Sequence, residues 1–229
     1  MQLEDVVQFI PKTIQGEGKR AGHICTLLRF KKCLRSCPFC DTTELMKQEC
    51  LPITIDRVAD AVKDTHMLLI TGGEPLIYLP QIALLVQYIS ISHSIKVDLE
   101  TAGPKNNKAG KLSLTQIHKY LRIINQNTDL NIVFSPKIFN DRDLCEACDF
   151  LRIIKDFKFT VKVLVPFTSD HVKYFLYHYK TMYSEENLYF MPMGQTKEEL
   201  EKNIPATLET VYEYGGNFTH RLHLLTNMP

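Results

Sequence analysis

The chain has 229 residues, 45% hydrophobic and 23% charged, with a formal net charge of +1. That length supports a substantial core, so one domain over 1–229 is the expectation; the even charge excludes an extended nucleic-acid surface or a strongly charged membrane-binding face. No apolar run reaches the length of a membrane span, and the start, Met1-Gln2-Leu3-Glu4-Asp5, lacks the basic residue and apolar core of a signal peptide. Seven cysteines, an odd number with three close together, fit a reducing cytoplasm better than a secreted disulfide scaffold.

In chain order, residues 6–10 read as a short strand. Gln15, Gly16, Glu17 and Gly18 follow. Two glycines around a carboxylate let backbone approach a ligand closely, though the same pattern suits a tight turn with a solvated glutamate. Residues 24–30 form an apolar strand carrying Arg29 near its end. A charge there either emerges at the sheet edge or meets an anion.

That strand delivers the chain into a loop at 33–42 that holds Cys33, Cys37 and Cys40 in a C-x3-C-x2-C array. Thiolate is a soft ligand, suited to zinc, copper(I) and iron–sulfur clusters. A four-iron cluster normally takes four cysteines, so three local ones leave one iron for a ligand that is not protein. A closed zinc site wants four ligands, usually as paired C-x2-C knuckles, and only Cys37 and Cys40 have that spacing. From the residues alone, three structural thiols or zinc completed by a distant residue stay open. Asp41 and Thr42 end the loop, and both types also cap helices well.

Residues 55–65 have helical spacing, and 67–70 form a buried strand running into Thr71, Gly72, Gly73, Glu74 and Pro75. A helix at 79–91 precedes a strand at 96–100 that ends at Thr101, Ala102 and Gly103; residues 106–110 read as a flexible excursion. A helix at 115–125 leads to a strand at 131–134 ending in Ser135, Pro136 and Lys137. Beyond it come a short helix at 142–148 and strands at 151–154 and 160–165. The rest reads as a helix at 170–179, a strand at 188–191, a helix at 197–214 broken or restarted near Pro205, and a last strand at 221–225. Strands separated by such helices imply right-handed crossovers and a mainly parallel α/β sheet. The ligand-type residues follow strand C-termini, where such folds place their sites.

The cysteine spacing resembles the radical S-adenosylmethionine (SAM) superfamily, in which the open iron binds the amino and carboxylate groups of SAM. The G-G-E-P at Gly72, Gly73, Glu74 and Pro75 matches that superfamily's motif for the SAM amino group. The fold this implies is an incomplete parallel β/α barrel. The Q-G-E-G loop, Asp41-Thr42 directly after the third cysteine, and S-P-K at Ser135, Pro136 and Lys137 further resemble the 7-carboxy-7-deazaguanine synthase family, over nearly the whole chain. Members of that family are lyases that contract 6-carboxy-5,6,7,8-tetrahydropterin to 7-carboxy-7-deazaguanine with loss of ammonia, a step towards queuosine and other deazapurines.

The resemblance implies a set of roles. Cys33, Cys37 and Cys40 ligate a 4Fe–4S cluster, and SAM chelates its fourth iron. Gly72, Gly73 and Glu74 hold the methionyl amine; Ser135 and Lys137 touch SAM, and Glu100 reaches the ribose or the substrate. Gln15, Gly16, Glu17, Arg29, Thr71, His223 and the carboxylate of Pro229 bind the pterin, with Glu17, Arg29 and His223 catalytic. Thr42 ligates Mg2+, with Asp41 in support. The expected partners are a flavodoxin-like or other electron donor and a second copy in a homodimer, in the cytoplasm, with no nucleic acid or membrane. Glycyl-radical-enzyme activases share the cysteine spacing and are one alternative; a zinc-binding interaction domain is the other. Cys25, Cys50, Cys145 and Cys148 match no family ligand, and Ala102 stands where asparagine is expected.

Overall fold

Side-chain alternation along the strands decides the architecture. The computed structural model describes residues 1–226. In β3 (Met67–Gly72), Leu68 and Ile70 are fully buried on one face, while Leu69 and Thr71 turn to the other. Strand neighbours point to opposite faces, so each strand serves a helix-packed outer layer and an inner face at once. β1 (Val6–Ile14) and β2 (Ile24–Phe30) pair antiparallel, and β2 then runs parallel to β3. Parallel pairing continues through β4 (Lys96–Thr101). A small antiparallel ribbon of β5 (Lys108–Ala109) and β6 (Leu112–Ser113) lies outside the sheet, where the sequence suggested only a flexible excursion. The sheet resumes with β7 (Asp129–Phe134), β8 (Phe159–Val165), β9 (Leu188–Pro192) and the short β10 (Asn217–Phe218). The order β1-β2-β3-β4-β7-β8-β9-β10 curves into a partial barrel that does not close.

Helices α1 (Ile55–Thr65), α2 (Leu79–Ser90), α3 (Leu114–Asn127), α4 (Asp141–Ile154), α5 (His171–Met182) and α6 (Lys197–Tyr214) connect the parallel strands. Their apolar stripes meet the outer strand face, where Leu28, Ile70, Leu99, Ile132 and Val161 are completely buried. Each such side chain contributes roughly 1.5–3 kcal/mol relative to exposure. Side-chain caps start several helices: Thr54 accepts from Arg57 N, Ser113 and Gln116 form a reciprocal capping box, and Asn140 accepts from Asp143 N.

Three sequence readings need correction. Residues 151–154 are not a strand but the last turn of α4, because Ala147, Phe150, Leu151 and Ile154 continue its buried stripe at helical spacing. Residues 221–225 are not a strand either: α7 (Leu222–Thr226) is a short helix, with Thr226 Oγ1 donating to Leu222 O. Pro205 does not break α6, which runs unbroken from its Thr196 cap.

Candidate active site

A cavity of about 860 Å³ opens at the C-terminal ends of the strands. Its walls are the inner-face residues of each strand: Leu27 and Arg29 of β2, Leu69 and Thr71 of β3, Glu100 of β4, Lys162 and Leu164 of β8, and Met191 of β9. The loop at 33–42 covers one side, contributing Cys33, Cys37, Cys40, Asp41 and Thr42. The Gln15–Gly18 loop and His223 close the other. That volume lies within the range of cofactor and ligand sites.

The two glycines after β3 have a structural cause. Gly73 N donates to Phe30 O at 2.9 Å and Glu74 N to Lys32 O at 2.8 Å, so this turn is stitched to the chain as it enters the cysteine loop. A Cβ on Gly72 or Gly73 would lie less than 3.0 Å from backbone atoms of Phe30 or Lys32, which have no room to retreat. Glu74 does not line the cavity. Its carboxylate is fully buried and accepts from Leu76 N (3.0 Å), Thr101 Oγ1 (2.6 Å) and Ala102 N (3.0 Å). Burial pushes its pKa up to about 7, against those three donors. The expectation that this side chain holds the SAM amine meets a carboxylate already satisfied by protein.

All three cysteines of the loop carry free thiols on the cavity wall. Burial pushes the Cys33 and Cys37 thiols up. At Cys40 burial is outweighed by hydrogen bonds from Thr42 and Thr43, and the pKa falls. Thr42 Oγ1 lies 3.5 Å from Cys40 Sγ. Asp41, read as its support, instead pairs with Arg221 Nη1 at 2.8 Å. Among the described residues no group of three or more His, Cys, Asp or Glu side chains is arranged to hold a metal ion. Cys25 sits in the core with its thiol pushed by burial to about 12, an inert structural residue. Cys145 and Cys148, both free on α4, lie outside the cavity.

The cavity floor is a buried charge network centred on Glu17. One carboxylate oxygen is bonded by Lys162 Nζ, and the other pairs with Arg221 Nε at 3.3 Å. Burial raises the Glu17 pKa, but Lys162 and Arg221 overcome it and hold the group at about 2, permanently ionised near neutrality. Lys162 also reaches Glu100 Oε1 at 3.5 Å, and these two carboxylates keep it charged against the effect of burial. Glu100 in turn accepts from Thr71 Oγ1 at 3.0 Å. Arg221 completes the set by donating to Gly194 O at 2.9 Å.

Gln15 is committed below this layer: Nε2 donates to Asp98 Oδ2 at 3.0 Å, and Oε1 accepts from Glu17 N at 3.2 Å. Its side chain shapes the loop, and the expected reading of a ligand edge by its amide has little free capacity behind it. Gly16 is required by His223, whose ring a Cβ would strike, and Gly16 O accepts from Leu222 N at 3.0 Å. Burial keeps the His223 pKa below the ordinary histidine value despite Glu17, so the ring is neutral. Arg29 donates Nε to Gln8 Oε1 at 2.9 Å, and its terminal nitrogens have no protein partner among the described residues. Lys137 Nζ donates to Ser135 Oγ at 2.9 Å and lies over the Phe39 ring; burial, then Lys162, lower its pKa to about 8. Pro229 lies outside the described residues.

Sequence reasoning therefore found both ends of the cavity and missed Lys162 and Arg221 between them and Asp98 beneath. A lysine in the middle of the apolar run of β8 was the available signal, since a lone charge in a buried strand needs a partner.

No family model matches the chain. Relatives named 7-carboxy-7-deazaguanine synthase do. One from Hyperthermus butylicus is 26% identical over 233 residues, covering 95% of this chain and 90% of the relative. One from Halobacterium salinarum is 27% identical over 93% of this chain and 86% of the relative. One from Rickettsia prowazekii is 36% identical over a shorter stretch, 42% of this chain and 43% of the relative, and one from Clostridium acetobutylicum is likewise matched over only 47% of its length. Among solved structures, QueE from Escherichia coli superposes with a TM-score of 0.60 at 16% identity over 94% of this chain and 92% of that one. SuiB from Streptococcus suis, bound to S-adenosylmethionine, does so with a TM-score of 0.53 at 14% identity over 83% of this chain and 48% of that one. At these identities the structural likeness speaks for the fold.

Proposed function

We propose that this chain, a relative of the 7-carboxy-7-deazaguanine synthases with their radical SAM fold, catalyses the same reaction: ring contraction of 6-carboxy-5,6,7,8-tetrahydropterin to 7-carboxy-7-deazaguanine with release of ammonia. The observation that carries this reading is a single cavity with three thiols on one wall and a fixed acid–base network on its floor. Three soft donors on one cavity wall suit an iron–sulfur cluster, in which each thiol has its own iron. Cys33, Cys37 and Cys40 would hold that 4Fe–4S cluster, and Gly72, Gly73, Ser135 and Lys137 at the strand ends would hold SAM. When bound, the cluster and SAM supply the one-electron chemistry that removes a hydrogen atom from the substrate.

The chain's own residues then position the substrate. Arg29, whose terminal nitrogens have no partner among the described residues, would take the pterin carboxylate as a bidentate pair. Glu17 is locked ionised by Lys162 and Arg221, so it acts as a hydrogen-bond acceptor for the pterin's donor edge, not as a base that changes state. His223, neutral and set against Gly16, would close the pocket. Thr42, on the cavity wall, would offer Mg2+ one hard oxygen. A flavodoxin-like or other donor would supply the electron to a cytoplasmic homodimer.

Anaerobic reconstitution with iron and sulfide, then incubation with SAM, reductant, Mg2+ and the carboxypterin, should yield the deazaguanine product and ammonia. Zinc without iron or sulfide, or a loaded enzyme that leaves the pterin untouched, would overturn the reading. In the same assay Thr42→Ala should weaken Mg2+ stimulation and leave SAM cleavage measurable; unchanged Mg2+ dependence would remove the metal role.

A further inference from the structure

The three-thiol loop has a weak claim on any one position. Cys37 and Arg35 line the main cavity on one side and a second cavity of about 330 Å³ on the other, so the stretch between them is a partition with open space on both faces. Leu34 packs on the apolar core and Phe39 lies 6.0 Å from the Phe139 ring, but between these anchors little apolar contact fixes the backbone. What holds it is Arg35. This side chain is only 8% exposed although it lies in a surface loop. Nη2 donates to Pro104 O at 3.0 Å, just after β4. Nη1 donates to Lys137 O at 3.4 Å, just after β7, and to Asp143 Oδ1 at 3.2 Å on α4. Glu146, one turn further along α4, lies 4.0 Å from Nη2. The same two carboxylates brace their surroundings, since Asp143 Oδ2 accepts from Phe139 N and Glu146 Oε1 from Asn106 N.

We propose that Arg35 is a positioning residue. It latches the thiol loop to the ends of β4 and β7 and to α4, and so fixes where an iron–sulfur cluster sits relative to the SAM pocket. The inference rests on the reading above for the identity of the group on the thiols. Its logic is geometric: β4 and β7 end in the residues that face the cavity at Glu100, Ser135 and Lys137, and one planar guanidinium ties both ends to the loop between Cys33 and Cys37. A lysine has one nitrogen and cannot span these acceptors. Asp143 and Glu146 belong to the second cavity and do not line the first, so they reach the thiol loop through Arg35 and, for Asp143, through Phe139 against Phe39.

The test compares R35A, R35K, D143N and R35A/D143N after anaerobic reconstitution. Thermal melts, iron and sulfide content, SAM affinity and the electron paramagnetic resonance change of the reduced cluster on SAM addition are the readouts. R35A should weaken SAM binding at least tenfold and blunt the spectral change. D143N should move both readouts in the same direction, R35K should recover only part, and the double variant should be no worse than R35A. Wild-type affinity and spectra in R35A or D143N would overturn the latch. So would losses that multiply in the double variant, which would show that Arg35 and Asp143 act independently. If R35A does not fold, R35K and D143N make the same comparison, and wild-type behaviour in either overturns it. A wild-type protein that takes up no iron and sulfide would instead overturn the functional reading, which separates the two failures.

Discussion

Two loops of this chain place a glutamate beside glycine at a strand end, Gly16-Glu17-Gly18 and Gly72-Gly73-Glu74, and both carboxylates are buried. Their chemistry differs completely. Glu17 faces two cations, Lys162 and Arg221, and is held at about 2. Glu74 accepts from a hydroxyl and two backbone amides, with Arg35 the smallest of the lowering influences, and burial leaves it at about 7. Cations stabilise the charged form far more than neutral donors do, so the partners decide and the local pattern does not. The first carboxylate belongs to the cavity; the second fastens β3 to the turn after β4.

The most severe way to break this contrast is to remove the cation. Lys162→Met leaves Glu17 and Glu100 buried beside each other with only Arg221 to compensate. A broken buried pair costs about 3–5 kcal/mol, which urea denaturation of the apo protein would register; a loss below about 1 kcal/mol would mean that the network is hydrated and loosely held. The pH dependence sharpens the same point. The folded pKa of Glu17 lies below its ordinary 4.5, so its stabilisation is complete above that value and drains away as pH falls towards 2. The stability difference between wild type and Glu17→Gln should therefore shrink from about pH 5 to about pH 2.5. A constant difference would place the titration elsewhere.

The glycines offer a smaller effect with the same structure of comparison. In Gly73→Ala the new methyl meets the Lys32 carbonyl, part of the backbone that carries the thiol loop. Overpacking against an immobile group costs about 1–3 kcal/mol. In Gly16→Ala the methyl meets the His223 ring, which can rotate aside, so the thermal midpoint should fall less. Equal destabilisation would show that His223 is as fixed as the backbone.

Much of this was legible in advance. Period-two and period-3.6 patterns located the parallel strands and their helices, and the cysteine spacing located the loop that walls the cavity. The failures share a cause: short segments carry too little pattern to decide. Leu151-Arg152-Ile153-Ile154 alone suits a strand, and only its continuity with Phe150 and Ala147 makes it helix. Arg221-Leu222-His223-Leu224 alternates like a strand, yet its backbone closes a helical turn whose start is tied to Gly16. At the site, Glu17 was visible because glycines flank it. Lys162 showed only as a lone charge in an apolar strand, and its pairing with Glu17, 145 positions away, left no local trace; nor did the still more distant pairing of Arg221 with Glu17. The same holds for Arg35, whose acceptors lie on three separate elements.

The finest discrimination lies at Glu74. Thr101→Val removes the 2.6 Å hydroxyl donor and leaves the two amide donors in place. That hydroxyl favours the ionised carboxylate, so its loss should push the Glu74 pKa above about 7. A carboxyl whose folded pKa exceeds its ordinary 4.5 takes up its proton in the folded state first, and its contribution to stability declines as pH rises through 4.5 to about 7. This slope runs opposite to that of Glu17. The valine variant should extend the decline to higher pH. Its cost should be about 1 kcal/mol near pH 5, where the acceptor is neutral, and about 2 kcal/mol near pH 8, where it is charged. Thr101→Ser keeps the hydroxyl and should follow the wild-type curve. Were the valine penalty identical at the two pH values, Glu74 would not titrate in this window, and neutral donors alone would be holding it as firmly as Lys162 and Arg221 hold Glu17.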